Sequence, residues 1–450
     1  MIVLHTAAFA GRRSAMTVQG QPTVSYTYDT ANRLTQINQG TTVVNFAYDA
    51  ANRRTALTLP NGVTVAYGYD QDSRVTGITY TAGSTALGNL TYGYDAASRH
   101  TQMGGSFAQT NLPQPVTAAS YDAGNELLQW GSTNLAYDSN GNLVNDGLNQ
   151  YTWNARNQLV SMSGSTTAAF QYDAYGRRSS KTVGSVSTGF LYDVINVAQE
   201  LSGTTPTANV LSGGVDEIFM RADSTGAYSF LADGLGSTLA LADATGALQT
   251  QYTYEPFGNT TIAGSSSNSL QYTGRENDGT GLYYYRVRYY NPAIGRFISE
   301  DPIGFLGGIN EYVYVDDDPM DFIDPFGLDK NPPWYKNPCI TSALGEATLS
   351  IGVDAIGLIP EGGGAKTVAR NVGNWFGYRG IVADNFGKAA IQQAQHGADT
   401  FSLTQGLGGQ DWISTGLSAA GFIPVLGQAA AGASIIYDGY KTWKKIQACP

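Results

Sequence analysis

The chain has 450 residues, including 55 glycines and 29 tyrosines, and only 14% of its residues are charged. That length exceeds one ordinary domain core, and the excess of turn formers and aromatics favours β-structure over helix bundles. The net charge of −11 excludes a shell that binds nucleic acid, because neutralising phosphates requires clustered Lys and Arg.

Cysteine and histidine are both scarce, with two and three copies respectively. Two cysteines exclude a disulfide framework and leave open whether Cys339 and Cys449 form a single bridge. The sequence predicts no metal site and no cofactor, since a zinc site needs four such ligands.

The N-terminal residues do not have the pattern of a secretory signal. The apolar run in "MIVLHTAAFAGRRSAM" precedes its arginine pair, whereas a signal peptide has its basic residues first. We therefore expect a dedicated secretion system to export the protein or deliver it into target cells, or a missing upstream part to contain the targeting signal.

A repeat with a period near 20 residues follows. Each unit begins with an aromatic residue that is followed by Asp or Asn. Two residues that are mostly small or polar come next, then usually Asn, Gly or Ser, and often Arg. The units begin at Tyr28, Tyr48, Tyr69, Tyr94, Tyr121, Tyr137, Trp153 and Tyr172. Asp and Asn before Gly, Asn or Ser are typical of turns, and flanking segments such as "VSYTY" alternate as half-buried strands do. A hairpin of this size cannot bury its apolar face alone, so the repeats are expected to stack into a long spiralling sheet.

Three further motifs follow the repeats in order. They are "DGLGSTLALADATGAL" from Asp233, "YEPFG" from Tyr254 and "YTGRENDGTGLYYYRVRYYNPAIGRF" from Tyr272. Together with the repeats, they make residues 20–328 closely similar to the Rhs/YD-repeat family of polymorphic toxins. The resemblance implies a hollow β-shell that encloses the polypeptide following it. Family members are commonly longer, so we expect this chain to be a C-terminal portion, with the closure of its shell left open.

An acidic, glycine-punctuated block closes the region of resemblance. It contains "RYYNP" at 288–292, "GRF" at 295–297, "DPIG" at 301–304, "GGINEYVY" at 307–314 and "DPFGL" at 324–328. In the family this block is an intramolecular aspartic protease. The resemblance implies that Asp301 and Asp324 are the catalytic carboxylates and that the cut falls between Leu328 and Asp329.

The residues themselves are consistent with that chemistry. Aspartic peptidases use two carboxylates close enough to share a proton. Pro after each Asp favours an extended backbone, and Asp324 lies only four residues before the proposed cut. We expect Arg296 to hold a carboxylate or the oxyanion. Asp-Pro-x-Gly is also an ordinary turn sequence, and the extra acids Asp316, Asp317 and Asp318 are interpreted as a solvated turn.

The composition changes after Leu328. Residues 1–328 carry 16 basic and 28 acidic side chains, whereas 329–450 carry 9 and 8. A Pro-rich linker at 329–341 precedes a Gly/Ala-rich segment at 342–450. Residues 412–437 have no charge, which is long enough to span a bilayer, although a soluble helical core fits as well.

The sequence therefore predicts a mostly β protein, a spiralling hairpin shell followed by a small, mainly α C-terminal domain. The predicted parts are a YD-repeat shell at 1–230, an Rhs-associated core with the self-cleavage site at 231–328, the linker, and a toxin-like domain at 342–450. We expect the tail to be released and to act on target membranes. Two alternatives stay open, an unrecognised nuclease-like toxin and a non-toxic surface repeat protein. The expected partners are a cognate immunity protein and type VI-like delivery machinery.

Overall fold

The computed structural model of the protein describes residues 3–7, 12–109, 111–328 and 330. Asp329, the rest of the predicted linker, both cysteines and the predicted toxin-like domain lie outside these residues. No helix within the described residues is long and apolar enough to cross a membrane. The candidate span at 412–437 lies outside them.

Antiparallel strands, each paired with the next in sequence, make up most of the described chain. The first sheet contains β1 Val3–Ala7, β2 Arg13–Val18, β3 Val24–Tyr28, β4 Leu34–Gln39, β5 Thr42–Tyr48, β6 Arg54–Thr58, β7 Val63–Tyr69, β8 Val75–Ala82, β9 Thr85–Tyr94 and β10 His100–Gly104. A small sheet follows with β11 Ala119–Tyr121, β12 Leu127–Trp130 and β13 Thr133–Asn134.

A second long sheet and a short one complete the fold. The long sheet contains β14 Ala136–Tyr137, β15 Leu143–Asn145, β16 Asn149–Trp153, β17 Leu159–Gly164, β18 Ala168–Tyr172, β19 Arg178–Val183, β20 Val186–Asp193, β21 Asn196–Ser202, β22 Thr205–Ser212, β23 Ile218–Asp223, β24 Gly226–Ala232, β25 Thr238–Ala242, β26 Leu248–Tyr254 and β27 Thr260–Gly264. The short sheet contains β28 Glu276–Asn277, β29 Tyr283–Tyr285, β30 Arg288–Asn291 and β31 Arg296–Phe297. Short 3₁₀ turns occupy Tyr272–Gly274, Gly304–Leu306 and Val315–Asp317.

The two long sheets share an apolar core. Val24, Ile37 and Val44 of the first sheet belong to the same buried cluster as Leu231 and Ala240 of the second. The alternation predicted for the repeats therefore turns one face of each strand inward, as a half-buried sheet requires. The mostly β, shell-like part of the prediction is confirmed.

The predicted repeat turns are confirmed at atomic detail. In the first complete unit, Asp29 Oδ1 accepts hydrogen bonds from Ala31 N and Arg33 N, both at 2.9 Å. Asn32 lies between those two donors with φ +65°, in the left-handed region that Asn and Gly tolerate best. The same position has positive φ in later units at Asn52, Ser73, Ser98, Asn125, Gly141, Asn157 and Gly176. The alternation of Gly, Asn and Ser at this position follows from that backbone requirement.

The arginine of several repeats joins its own turn to the next one. Arg33 Nε donates to Asp29 Oδ2 at 2.7 Å, and its Nη1 donates to Asp49 O and Asn52 Oδ1, both at 3.0 Å. The guanidinium also lies 5.0 Å from the ring centroid of Tyr48. Arg53, Arg74 and Arg177 repeat the arrangement. This explains why Tyr, Asp and Arg recur together.

The repeat tyrosines add a second link between strands. Each hydroxyl donates to a backbone carbonyl near the start of an adjacent strand: Tyr48 to Leu34 at 2.9 Å, Tyr69 to Arg54 at 2.8 Å, Tyr94 to Val75 at 2.7 Å and Tyr172 to Leu159 at 2.7 Å. The ring therefore stays inside the sheet stack while its polar end is satisfied, as buried tyrosine requires.

The links between repeats can be tested by comparing two arginines. Arg53→Gln removes its bonds to Asp49 and to the next turn at Asp70, and should lower the free energy of unfolding by about 1–2 kcal/mol. Arg99→Gln is the matched control, because Arg99 pairs with Asp95 in its own turn and is exposed. Urea unfolding of both variants measures the difference. Equal losses would contradict a role for the link to the next repeat.

Asp233 opens the first motif after the repeats and is held in a similar turn. Its Oδ1 accepts from Leu235 N at 2.9 Å and Ser237 N at 2.8 Å. Burial nevertheless raises the pKa of Asp233 from 3.8 to about 6, against the effect of those hydrogen bonds.

This shift predicts a dependence of stability on pH. The folded state holds the Asp233 proton more tightly than the unfolded chain, so the stabilisation is present at low pH and is lost as pH rises through about 6. Relative to Asp233→Asn, the wild-type free energy of unfolding should fall by about 2–3 kcal/mol between pH 4 and pH 7. Urea titrations of both proteins across that range measure it. Parallel curves would contradict the prediction.

Candidate active site

Asp301 and Asp324 both occupy turns of the same kind as the repeats. Asp301 Oδ1 accepts from Ile303 N at 2.9 Å, and Asp324 Oδ1 accepts from Phe326 N at 3.3 Å and Leu328 N at 3.0 Å. The glycine three residues after each aspartate has positive φ, +61° and +69°. The turn interpretation of Asp-Pro-x-Gly is therefore right, and these turns fix the direction of both carboxylates.

Arg288 brings the two carboxylates together. Its Nη2 lies 2.8 Å from Asp301 Oδ2 and 3.6 Å from Asp324 Oδ2. The two Oδ2 atoms are therefore no farther apart than the sum of these distances. All three side chains are buried, with exposed fractions of 3%, 5% and 2% for Arg288, Asp301 and Asp324. One positive charge thus faces two acidic groups in a water-poor environment.

Three further contacts hold the Arg288 guanidinium in place. It stacks 3.7 Å from the ring centroid of Phe297. Its Nη1 donates to Glu311 O at 2.8 Å, and its Nε donates to Gly327 O at 2.5 Å. The bond to Gly327 O joins the guanidinium to the residue just before Leu328. Arg288 is therefore fixed relative to the segment that ends at Leu328 as well as to the two aspartates.

The carbonyl of Leu328 faces the same space as Asp301. A Cβ added to Gly307 would lie 2.7 Å from Asp301 Oδ2 and 3.0 Å from Leu328 O. A cavity of about 10 Å³ at this point has Asp301, Asp324 and Leu328 in its wall. That is about the room one water molecule needs. Glycine at 307 keeps the space between carboxylate and carbonyl open.

The side chain of Leu328 is anchored in an apolar cluster. It is 2% exposed and packs with Ile303 and Phe326. Ile195, in the turn between β20 and β21, and Val215, in the turn between β22 and β23, pack against the same cluster. Burying a leucine of this kind contributes about 1.5–3 kcal/mol. Two turns of the second long sheet therefore help to position the residue on the amino side of the proposed cut.

The backbone just before Leu328 is also held. Arg286 donates to Pro325 O and pairs with Asp216 at 2.6 Å. Gly327 has φ +69°, and a Cβ there would lie 2.5 Å from Tyr285 O. Only glycine fits so close to the neighbouring strand. The segment that ends at Leu328 is thus fixed by contacts on several sides.

A family model of the Teneurin YD-shell matches residues 8–92 and 90–307, which is more than half of the chain. The chain belongs to the YD-shell family. The resemblance to Rhs/YD-repeat proteins predicted from the repeats and the terminal motifs is confirmed.

Relatives of this YD-shell chain include several bacterial toxins. It is 31% identical to the tRNA nuclease WapA of Bacillus subtilis (strain 168) over 225 residues, covering 46% of this chain and 10% of the relative. It is 28% identical to Double-stranded DNA deaminase toxin A of Burkholderia cenocepacia (strain H111) over 253 residues, covering 46% and 18%. Toxin subunit YenC1 of Yersinia entomophaga is 40% identical over 100 residues, covering 21% and 10%. The chain spans between a tenth and a fifth of the length of these relatives.

Solved structures show the same YD-shell fold. The crystal structure of TcdB2-TccC3 superposes with a TM-score of 0.56 at 20% identity, covering 72% of this chain and 22% of that one. The Photorhabdus luminescens Tc holotoxin pore gives a TM-score of 0.57 at 19% identity, covering 73% and 21%. At these identities the likeness concerns the fold.

The structure brings together some of the predicted site residues of this YD shell and not others. Asp301, Asp324 and Leu328 converge, whereas Asp329 lies outside the described residues. Arg296 points elsewhere. Its Nη2 donates to Asn125 O at 2.5 Å and to Asn310 Oδ1 at 3.3 Å, and the guanidinium stacks on Tyr121 and Tyr312.

Arg288 occupies the place that the sequence assigned to Arg296. Both arginines lie in the same motif-rich block, and sequence spacing does not choose between them. The choice follows from strand pairing, because β30 carries Arg288 beneath both Asp-Pro turns while β31 directs Arg296 towards β11 and β12. Arg288 belongs to the "RYYNP" motif, but its contacts with Asp301 and Asp324 do not follow from that motif.

Proposed function

We propose that this YD shell cuts its own chain between Leu328 and Asp329, with Asp301 and Asp324 as the catalytic carboxylates. The observation that carries the proposal is the shared cavity. Two buried carboxylates, the Arg288 guanidinium and the Leu328 carbonyl surround a space of about one water molecule. Aspartic peptidase chemistry needs those groups and that water.

The proposed roles follow from the charges. Arg288 lies nearer to Asp301, which favours the ionised form there and leaves Asp324 with the shared proton. Asp301 removes a proton from the water, and the water oxygen forms a bond to the carbonyl carbon of Leu328. Asp324 protonates the carbonyl oxygen in the same step. The C–N bond then breaks, the amine of Asp329 takes up a proton, and Leu328 keeps the new carboxyl group.

The chain supplies its own substrate in place. Asp324 accepts a hydrogen bond from Leu328 N, and the Leu328 side chain is buried among Ile303 and Phe326. Holding both reactants in this way replaces a bimolecular encounter by an intramolecular step. An ordinary turn would place the carboxylates but would not need Leu328 to be buried beside them.

Cleavage gives the wider function of the chain. In this proposal the shell encloses the segment at 329–450, and the cut separates that segment from the shell. Toxins among the relatives support this role. The proposed partners are secretion or delivery machinery, type VI-like, and a cognate immunity protein. The parts are the YD-repeat shell at 1–230, the core at 231–328, the linker at 329–341 and the toxin-like domain at 342–450.

Cleavage can be tested by expressing the full chain and resolving it on a denaturing gel. A fragment of 122 residues should appear in the wild type, with Asp at its amino terminus by mass spectrometry. Asp301→Asn and Asp324→Asn should each abolish it, because neither amide can replace the carboxylate in proton transfer. A wild-type chain that stays whole in the folded state would overturn the proposal.

Two matched pairs sharpen that experiment. Gly307→Ala should slow the cut at least tenfold because its Cβ would occupy the space between Asp301 and Leu328 O, whereas Gly189→Ala meets only ordinary contacts at 3.5 Å. Arg288→Gln should abolish the cut and Arg296→Gln should leave it. If Arg296→Gln were the inactive member, the assignment of Arg288 would be wrong.

Two activities for the released segment stay in competition. We favour action on target membranes, because residues 412–437 carry no charge over a length that suits a bilayer. A nuclease-like activity is the second candidate, since relatives of the shell include a tRNA nuclease and a DNA deaminase toxin.

A leakage assay separates the two activities. The cleaved full-length chain, added to dye-loaded vesicles of anionic and zwitterionic lipid, should release the dye. The chain with Asp324→Asn, which retains its segment, should release much less. Degradation or deamination of added RNA or DNA without dye release would favour the second candidate and overturn the first.

A further inference from the structure

The chain on the far side of the proposed cut is also attached to the site. Lys330 Nζ pairs with Asp316 Oδ2 and lies 4.9 Å from the ring centroid of Phe322. Asp316 and Lys330 line the same cavity as Asp301 and Asp324. These contacts lie two residues after Leu328, where the segment to be released begins.

A left-handed turn presents Asp316 to this lysine. Val315, Asp316 and Asp317 have φ of +47°, +55° and +59°. Three successive non-glycine residues in this region strain the backbone. The buried Val315 side chain and the hydrogen bonds from Asp317 N to Tyr314 O and from Asp318 N to Val315 O hold the turn against that strain. A simple solvated turn would relax to a lower-energy backbone.

Hydrolysis of a peptide bond is fastest when both sides of the bond are fixed. On the amino side, Leu328 is buried and hydrogen-bonded to Asp324. Without a contact on the carboxyl side, the chain could pivot about Leu328 and move the carbonyl away from the carboxylates. Small displacements of this kind lower rates strongly.

We propose that Asp316, together with Phe322, is a positioning element that binds Lys330 and holds the carboxyl side of the Leu328–Asp329 bond in the site. This rests on the proposed self-cleavage. Asp316 and Phe322 form a specificity contact for a basic residue two positions after the cut. The pair is half exposed, with 38% of the Lys330 side chain and 52% of the Asp316 side chain accessible. It is therefore weak, and salt screens it.

The test measures how fast the full chain cuts itself after cell-free synthesis. Asp316→Asn removes the charge and keeps a residue that tolerates left-handed φ, and Lys330→Gln removes the other partner. Each should slow the cut about two- to fivefold. The double variant should be no slower than either single variant, because both remove the same contact.

Asp317→Asn is the matched control. It changes the net charge equally, has the same backbone conformation and is exposed, but no contact links it to Lys330 among the described residues. It should cut at the wild-type rate. Raising the salt concentration should slow the wild type towards the Asp316→Asn rate and leave that variant unchanged.

The outcomes separate the two proposals. If the wild type is cut and Asp324→Asn is not, the proposed function holds. If Asp316→Asn and Lys330→Gln then match the wild type, or the double variant slows by the product of both effects, the positioning role is overturned. Thermal melting of the uncut double variant Asp316→Asn/Asp324→Asn is compared with that of Asp324→Asn to detect a folding defect. A lower melting midpoint in the double variant would also overturn the positioning role.

Discussion

One interaction recurs from the first repeat to the end of the shell, an aspartate oxygen that accepts backbone N–H groups across a tight turn. Asp29 Oδ1 accepts from the second and fourth residues after it, and Asp324 Oδ1 does the same. The third residue after each has positive φ, at Asn32 and at Gly327. The candidate active site is thus built from the same turn as the shell.

The difference between the two turns lies in the fourth residue. In the repeat it is Arg33, whose guanidinium neutralises the second oxygen of Asp29. At Asp324 the fourth residue is Leu328, so the turn supplies no cation of its own, and Arg288 reaches in from β30 to serve both aspartates. The repeat turn has its own ion pair, between Asp29 and Arg33, whereas Asp301 and Asp324 are both buried and share the guanidinium of Arg288.

The sequence predicted those features that depend on local backbone conformation. The repeat turns, their left-handed residues and the two Asp-Pro turns all follow from neighbouring residues, and so do the alternating strands. Arg288 and the Ile195 and Val215 contacts to Leu328 depend on strand pairing across large separations in the chain, which no local pattern contains. The turn predicted at 316–318 is present, with Asp316 and Asp317 exposed, but its left-handed backbone and the Lys330 contact do not follow from the local sequence.

In the middle of the shell, uncharged amide links replace the arginine links between neighbouring turns. Asn142 Nδ2 donates to Asn157 Oδ1 at 3.1 Å, and Gln158 Nε2 donates to Gly176 O at 3.5 Å. At Asp122, Asp138 and Asn154 the fourth residue is Glu126, Asn142 or Gln158 instead of Arg, and burial followed by the nearby charge of Asp122 raises the pKa of Glu126. The turn at Asp122 lies in the small β11–β13 sheet that separates the two long sheets, and the turns at Asp138 and Asn154 lie at the start of the second long sheet. A stacked array is only as cooperative as its weakest neighbour contact. Amide hydrogens around these turns should therefore exchange first, and the array should part at this internal seam before it frays at its ends.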